Sequence, residues 1–311
     1  MGVLAPLRDA VKRLRAWPPV NGALTQPVRA ALALAGARSE WAVKHLPRCG
    51  RVEATLPDGK TLVLWSRGDD WVSNQVFWRG WAGHEPETAP LFRALAARSR
   101  VTLDVGAHVG YYALLAGHAN PAGRVFAFEP LPLAVERLRR HIAQNGLANV
   151  ECIAVAASDV DGAVEFHVPR GHALPCSAGV SAAFHAPWAH AMETVRVPSV
   201  TLDAFVRARG LDAVDLVKID VEGGEPAVLR GAAFVLERFR PDIVCEVLSA
   251  TDAADQLAEI LRPLGYTFDL LTADGPQRRE RPEPHPDWMN YLFTARPERV
   301  ASILERGSGE P

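Results

Sequence analysis

The chain is poor in cysteine. Its four, Cys49, Cys152, Cys176 and Cys245, form no C-x-x-C pair, and two of them sit in apolar strand-like runs. That excludes the common zinc-ribbon and dithiol redox spacings and predicts reduced, mostly buried thiols in a cytoplasmic protein. Long hydrophobic runs are missing too. The N-terminus has no continuous apolar core of the signal-peptide kind, and its longest patch, Ala30 to Ala37, falls far short of the roughly 20 residues a membrane span needs. Neither sign of charge dominates: 34 Lys and Arg face 36 Asp and Glu, a net charge of −2. With no basic stripe interleaved with aromatics, nucleic acid is not an expected partner. No internal repeat, no G-x-G-x-x-G and no N-P-P-Y or D-P-P-Y run occurs.

What is present suits a soluble globular protein: 48% hydrophobic and 23% charged residues across 311 positions. The length exceeds a typical domain of roughly 100 to 200 residues, but α/β folds run longer as one unit. We therefore expect an N-terminal helical and β-hairpin appendage over 1–82, one α/β domain over 83–300, and a flexible tail over 301–311. Oligomeric state is not legible.

The organising stretch is V-T-L-D-V-G-A-H-V-G-Y-Y, Val101 to Tyr112. It reads as a buried parallel strand, a tight turn and a helix. Gly106 frees the turn from Cβ clashes, and Gly110 lets the helix sit close to the strand. The spacing D-x-G-x-x-x-G is not the phosphate-cradling fingerprint of a dinucleotide fold. S-adenosylmethionine (SAM), an amino acid joined to a nucleoside without phosphate, suits a turn edged by an acid. A second strand, Arg124 to Phe128, ends at Glu129, where doubly wound folds place an acid on ribose hydroxyls.

Alternation then continues. The helix after Glu129 buries Val135, Leu138 and Ile142 and ends at Gly146; a third strand covers Val150 to Ala156, and extra strands cover Ala163 to Val168 and Thr194 to Val200. Between those two lies a polar insert, Pro169 to Glu193. Its histidines and cysteine (His172, Cys176, His185, His190, with His167 just before) match no zinc spacing. A fourth strand leads into Asp220-Val221-Glu222-Gly223-Gly224-Glu225, acids at the carboxyl edge where open α/β sheets bind ligands. One long helix through Val228 and Phe239, a fifth strand ending near Glu246, a further helix and two strands complete a doubly wound sheet.

Upstream, Leu4, Leu7, Val11 and Leu14 recur at helical spacing among basic residues, and residues 1–50 hold eight Lys or Arg against two acids. A short basic amphipathic helix here suits peripheral contact with an anionic membrane, or packing on its own domain. Trp17-Pro18-Pro19 is expected to break it, with a second helix near Pro27 to His45. Val52 to Leu56 and Thr61 to Trp65 predict a hairpin; the aromatics Trp71, Phe77, Trp78 and Trp81 predict a loop.

Three segments together resemble the FkbM-type family of SAM-dependent methyltransferases: L-D-V-G-A-H-V-G-Y-Y at 103–112, F-A-F-E-P at 126–130 and L-V-K-I-D-V-E-G-G-E at 216–225. The resemblance runs from about Gly83 to Val247 and continues in V-L-R-G-A at 228–232 and R-P-D-I-V-C-E-V at 240–247. It implies a class I, Rossmann-like methyltransferase sheet with an antiparallel last strand, and O-methylation of a sugar, polyketide or similar hydroxyl. His108 departs from the family's more common Asn, keeping a side-chain donor. On this reading Asp104, Gly106, Ala107, His108, Gly110, Glu129, Ala157 and Ser158 hold SAM. Asp220, Glu222 and Glu246 carry the chemistry, with Asp220 the base or, with Glu246, a ligand of Mg2+. The expected acceptor is a small molecule or glycan hydroxyl, selected by the segments Trp71 to Glu87 and Pro169 to Glu193. Two other classes stand beside it. A SAM-binding scaffold or regulator without catalysis has no need of Asp220 and Glu222; a nicotinamide-dependent oxidoreductase needs the glycine pattern that breaks at Ala107.

Overall fold

The computed structural model describes residues 14, 16–37, 39–171, 174, 178–248 and 252–307. The expected basic helix lies, apart from Leu14, outside the described residues, as do His172 and Cys176. Contacts divide the chain into two compact units, Met1–Pro86 and Glu87–Pro311.

In the first unit, strands β1 (Cys49–Thr55) and β2 (Thr61–Arg67) form an antiparallel hairpin that pairs Val52 with Leu64. Along β1, Val52 and Ala54 turn inward while Arg51 and Glu53 stay exposed, the period-two pattern legible in the sequence. The helix before it differs from expectation. In place of one helix near Pro27 to His45 there are two, Pro18–Leu34, which begins at the prolines and has Pro27 inside it, and Glu40–His45. In the first turn, proline's missing N–H has no intrahelical partner to lose. The aromatic segment is not a loop either. Trp71–Arg79 is a helix capped by Asp70, whose carboxylate accepts the Val72 N–H at 3.0 Å. Val72, Val76 and Phe77 face inward, Trp78 donates to the Leu46 carbonyl at 3.0 Å, and Trp71 stays exposed.

The second unit is a doubly wound sheet. Its strands are β3 (Val101–Val105), β4 (Arg124–Phe128), β5 (Val150–Ile153), β9 (Leu216–Ile219), β10 (Asp242–Glu246), β11 (Thr267–Thr272), β12 (Gly275–Arg279) and β13 (Asn290–Thr294). They are ordered β12-β11-β13-β10-β9-β3-β4-β5. The five strands from β5 to β10 are parallel, and β13 inserts antiparallel between β10 and β11. Chain order reverses between β3 and β9, so the crevice outside their carboxyl ends is the place where such sheets bind ligands. Leu103, Ile219 and Phe293 of the sheet are buried in one core with Val228 and Leu257 of the helices packed on it.

Local departures have physical causes. The third strand stops at Ile153; Ala156–Ala157 (β6) instead joins β7 (Gly162–Pro169) and β8 (Met192–Val200) in a separate three-stranded sheet ordered β6-β8-β7. The expected long helix is two, Glu225–Arg230 and Ala233–Phe239. At the break, Gly231 abuts the Ser158 carbonyl so closely that no Cβ fits. Asp203 accepts the Phe234 and Val235 N–H groups at 2.8 and 3.0 Å, satisfying the second helix from a remote element. Polar β12, Gly-Pro-Gln-Arg-Arg, shows no alternation and is an edge strand without a sequence signature. The expected tail begins inside a helix, Pro297–Gly307, where Ile303 is buried.

Candidate active site

The turn after β3 is built for close approach. Gly106 has φ +82°, and a Cβ there would overlap the Asp220 carbonyl at the end of β9. Its glycine is required twice, by backbone conformation and by space. Gly110 (φ +91°) begins the helix Tyr111–Ala119, and the space its Cβ would need is filled by Leu138 of the helix Pro132–Asn145. It serves helix packing, not the expected contact with the strand. His108 (φ +49°) and Glu222 (φ +55°) hold left-handed backbone without being glycine, a strained conformation concentrated at this edge.

A narrow cleft opens here, lined among others by Gly106, His108, Glu129, Ala157, Asp220 and Glu222. Six residues expected at the site therefore line one cleft. Asp104, Ala107, Gly110, Ser158 and Glu246 do not line it, and Ala156 stands where Ser158 was expected. Ser158 is turned toward Asp159, with Oγ donating at 3.3 Å. The insert contributes as well. Ala178 and Val180 line the cleft, Gly179 pairs with His167, and Val180 and Phe184 pack on Gly224 and Gly223. The insert thus walls the same cleft as Glu129.

Glu129 is buried, 5% exposed, and accepts the His108 N–H at Oε2 and the Leu131 N–H at Oε1, each at 2.9 Å. Burial pushes its carboxyl up to about 7, against those two hydrogen bonds. Asp104, 2% exposed on β3, is likewise raised to about 7 by burial; Lys218 and the Ala113 N–H oppose the shift, and Asp220 adds to it. Its Oδ2 is buried without a hydrogen-bond partner.

Lys218 is the residue the sequence reading passed over. It is fully buried on β9, level with Asp104 in the β3–β9 register. Its ammonium donates to Asp220 Oδ2 at 3.1 Å and to Asn290 Oδ1 at 3.2 Å, and lies 5.1 Å from the Tyr112 ring centroid. A lysine interrupting the apolar run Leu216-Val217-Lys218-Ile219 was the available signal.

Asp220, Glu222 and Glu246 converge as expected, with one oxygen of each within 4.8 Å of the others. Burial, then Asp220 and Glu225, raise Glu222 to about 8; burial, then Asp220 and Glu222, hold Glu246 well above the ordinary carboxyl range. Glu246 Oε2 is buried and has no hydrogen-bond partner. The turn itself is tied by Glu225, whose Oε1 accepts the Val221 and Gly223 N–H groups at 3.1 and 3.2 Å. Among the described residues this is the sole cluster of three or more metal-ligating side chains, and His167, His185 and His190 belong to none.

The model of the methyltransferase FkbM domain matches residues 104–268, more than half the chain, spanning every strand of the parallel sheet from within β3 to β10. The chain belongs to the FkbM methyltransferase family. Curated relatives of this FkbM protein include the 2-O-methyltransferase NoeI of Sinorhizobium fredii, 29% identical over 180 residues (55% of this chain, 70% of the relative). The 31-O-demethyl-FK506 methyltransferase FkbM of Streptomyces tacrolimicus is 28% identical over 238 residues (68% and 87%). Among solved structures, an FkbM methyltransferase from Methylobacillus flagellatus KT aligns at TM-score 0.41 and 19% identity, over 63% of this chain and 43% of that chain. The fold is class I, Rossmann-like, with the antiparallel β13 between β10 and β11. Among the described residues no helix is long and apolar enough to cross a membrane.

Proposed function

We propose that this chain is an O-methyltransferase that moves a methyl group from SAM to a hydroxyl of a sugar, glycan or secondary metabolite. One observation carries the reading: at the point where chain order reverses, a single cleft has Glu129 on one wall and Asp220 with Glu222 on another, joined at Gly106. The names of the two relatives, a 2-O-methyltransferase and a 31-O-demethyl-FK506 methyltransferase, favour oxygen as the accepting atom.

The residues present fit the donor. Each oxygen of Glu129 accepts one backbone N–H and keeps a lone pair for a ribose hydroxyl. Gly106 lets the turn close directly onto the Asp220 carbonyl, and Ala156, Ala157 and Phe166 give an apolar wall for an adenine. Asp104, with an unpartnered buried oxygen beneath the turn, orients the amino-acid end. Bound there, SAM supplies an electrophilic methyl on a sulfonium. The protein must then align an acceptor hydroxyl and take its proton as the new bond forms. Asp220 is the group we assign to that proton. Lys218 holds its carboxylate in place from below, while Glu225 fixes the turn that presents it.

A second reading of the acids is a divalent site of the kind Mg2+ accepts, at Asp220, Glu222 and Glu246. It is favoured by three convergent carboxylates and by the partnerless Glu246 Oε2. It would acidify the hydroxyl in place of a base. The test is methyl transfer from SAM to a panel of sugars and glycosides, read as release of the demethylated donor, with and without exhaustive chelation. Asp220→Asn should abolish turnover while donor binding persists. Donor binding without turnover on any hydroxyl would support a scaffold instead, and activity that survives chelation removes the metal reading.

A further inference from the structure

Asn290 opens β13, the antiparallel strand, and is 2% exposed. It stands opposite Glu246 in the β10–β13 register, and beyond it the Val247 N–H donates to the Met289 carbonyl at 2.7 Å, so its backbone is held on both sides. Residues directly opposed in paired strands present their side chains to one face of the sheet. Along that face one row holds Asp104, Lys218, Val244 and Leu292. Two residues on, at the edge, Asp220 follows Lys218, and Glu246 faces Asn290.

The ammonium of Lys218, fully buried between these rows, carries three N–H groups. Asp220 Oδ2 accepts from it at 3.1 Å, Asn290 Oδ1 accepts at 3.2 Å, and the Tyr112 ring lies beneath it, 5.1 Å to the centroid. Because an ammonium only donates, the Asn290 amide must present its oxygen here and not its nitrogen. Other acceptors are close. Asp104, Glu222 and Glu246 all feel the charge of Lys218, and Asp104 Oδ2 and Glu246 Oε2 are buried without a hydrogen-bond partner. A lysine stem of four carbons turns readily, so charge alone selects none of these acids. A neutral acceptor on a paired strand does select: it fixes the ammonium without adding a carboxylate to compete for it. The bond to an acid then goes to Asp220, whose side chain is 29% exposed at the cleft.

Granted the methyl-transfer reading, we infer that Asn290 is a positioning residue: by anchoring Lys218 from β13 it directs the ammonium to Asp220 and away from Glu246, and so sets the orientation of the carboxylate that takes the acceptor's proton. Asn290 does not line the cleft. It acts through Lys218, and the antiparallel strand thereby reaches a reaction that takes place on the parallel ones.

Asn290→Leu in the full chain keeps the bulk and removes the acceptor. With the ammonium released toward Glu246, kcat for methyl transfer to a hydroxyl should fall roughly 10- to 100-fold, the scale of a reacting group misplaced by about 1 Å, while acceptor KM and the calorimetric Kd for SAM stay within about twofold. In a Lys218→Met background the same substitution should lower kcat no further, since no ammonium remains to be placed. Should Lys218→Met fail to fold, Glu246→Gln supplies the second background: with the competing charge gone, the loss caused by Asn290→Leu should shrink. An unchanged kcat in Asn290→Leu overturns the inference. So does a loss matched by an equal loss of SAM affinity, or one undiminished in either background, which would make Asn290 a packing residue of β13. Absence of transfer by the unchanged chain is a different failure, one that sinks the methyl-transfer reading and this role with it.

Discussion

Replacing Asp104 by Asn should stabilise the protein free of donor, and by an amount that grows with pH. The side chain is 2% exposed, one of its oxygens has no hydrogen-bond partner, and its carboxyl is raised from 3.8 to about 7 chiefly by burial. A folded-state value above the unfolded one means the folded chain holds the proton more tightly. The stability this group contributes is therefore complete below pH about 3.8 and is lost as pH rises to about 7. At about 1.36 kcal/mol per unit, ionising the buried carboxyl costs about 1.5 kcal/mol at pH 5 and about 4 kcal/mol at pH 8. Asparagine keeps the shape without the charge. Urea unfolding of both proteins at pH 5, 6, 7 and 8 should give curves that diverge in that direction, the variant gaining most at pH 8. Donor affinity should move the opposite way, since the acid that strains the empty fold is the one assigned to the amino-acid end of SAM. A variant destabilised by the same amount at every pH would refute the argument, because it would mean that Asp104 is held by contacts and not strained by burial.

Glu129→Ala should weaken donor binding by up to about 1.5 to 3 kcal/mol for each ribose hydroxyl bond lost, measured by calorimetry; unchanged affinity would remove Glu129 from the donor site. Lys218→Met leaves Asp220 and its acidic neighbours without their buried cation and should cost about 3 to 5 kcal/mol at pH 7.5 in urea unfolding. The loss should be smaller at pH 5.5, where Glu222, raised to about 8, and Glu225, raised to about 7, stay protonated; a loss independent of pH would assign Lys218 to packing alone. Replacing Pro169 to Glu193 by a short glycine-serine turn should lower donor affinity as well as abolish transfer, since Ala178 and Val180 wall the cleft. Calorimetry showing intact donor binding would restore the insert to the acceptor side only.

The sequence by itself determined the strands and turns of the donor half. Val101 to Val105, the glycine at 106 and the acid at 129 were legible because a buried parallel strand is a continuous apolar run, a left-handed turn wants glycine, and a ligand edge ends in an acid. The strand Asn290–Thr294 was legible as a short apolar run, and its antiparallel setting only through the family resemblance. What it missed were features whose cause lies elsewhere in the chain. The helix Trp71–Arg79 was hidden because four aromatics obscured a cap at Asp70 and an inward face at Val72 and Val76. The break before Ala233 depends on a carbonyl at Ser158 and a carboxylate at Asp203, 30 or more residues upstream. Lys218 reads in sequence as one polar interruption in a strand; only the β3–β9 register sets it level with Asp104, and only its position beneath the turn joins it to Asp220 and Asn290. The three acids at 220, 222 and 246 were each visible, but their convergence was decided by the parallel pairing of β9 with β10, which brings two strand ends 26 residues apart in the chain to one edge. Local pattern fixes which residues form an element, because propensity and periodicity act over a few neighbours. Which charges must share a low-dielectric pocket is set by long-range pairing, and that is where the perturbed acids of this site arise.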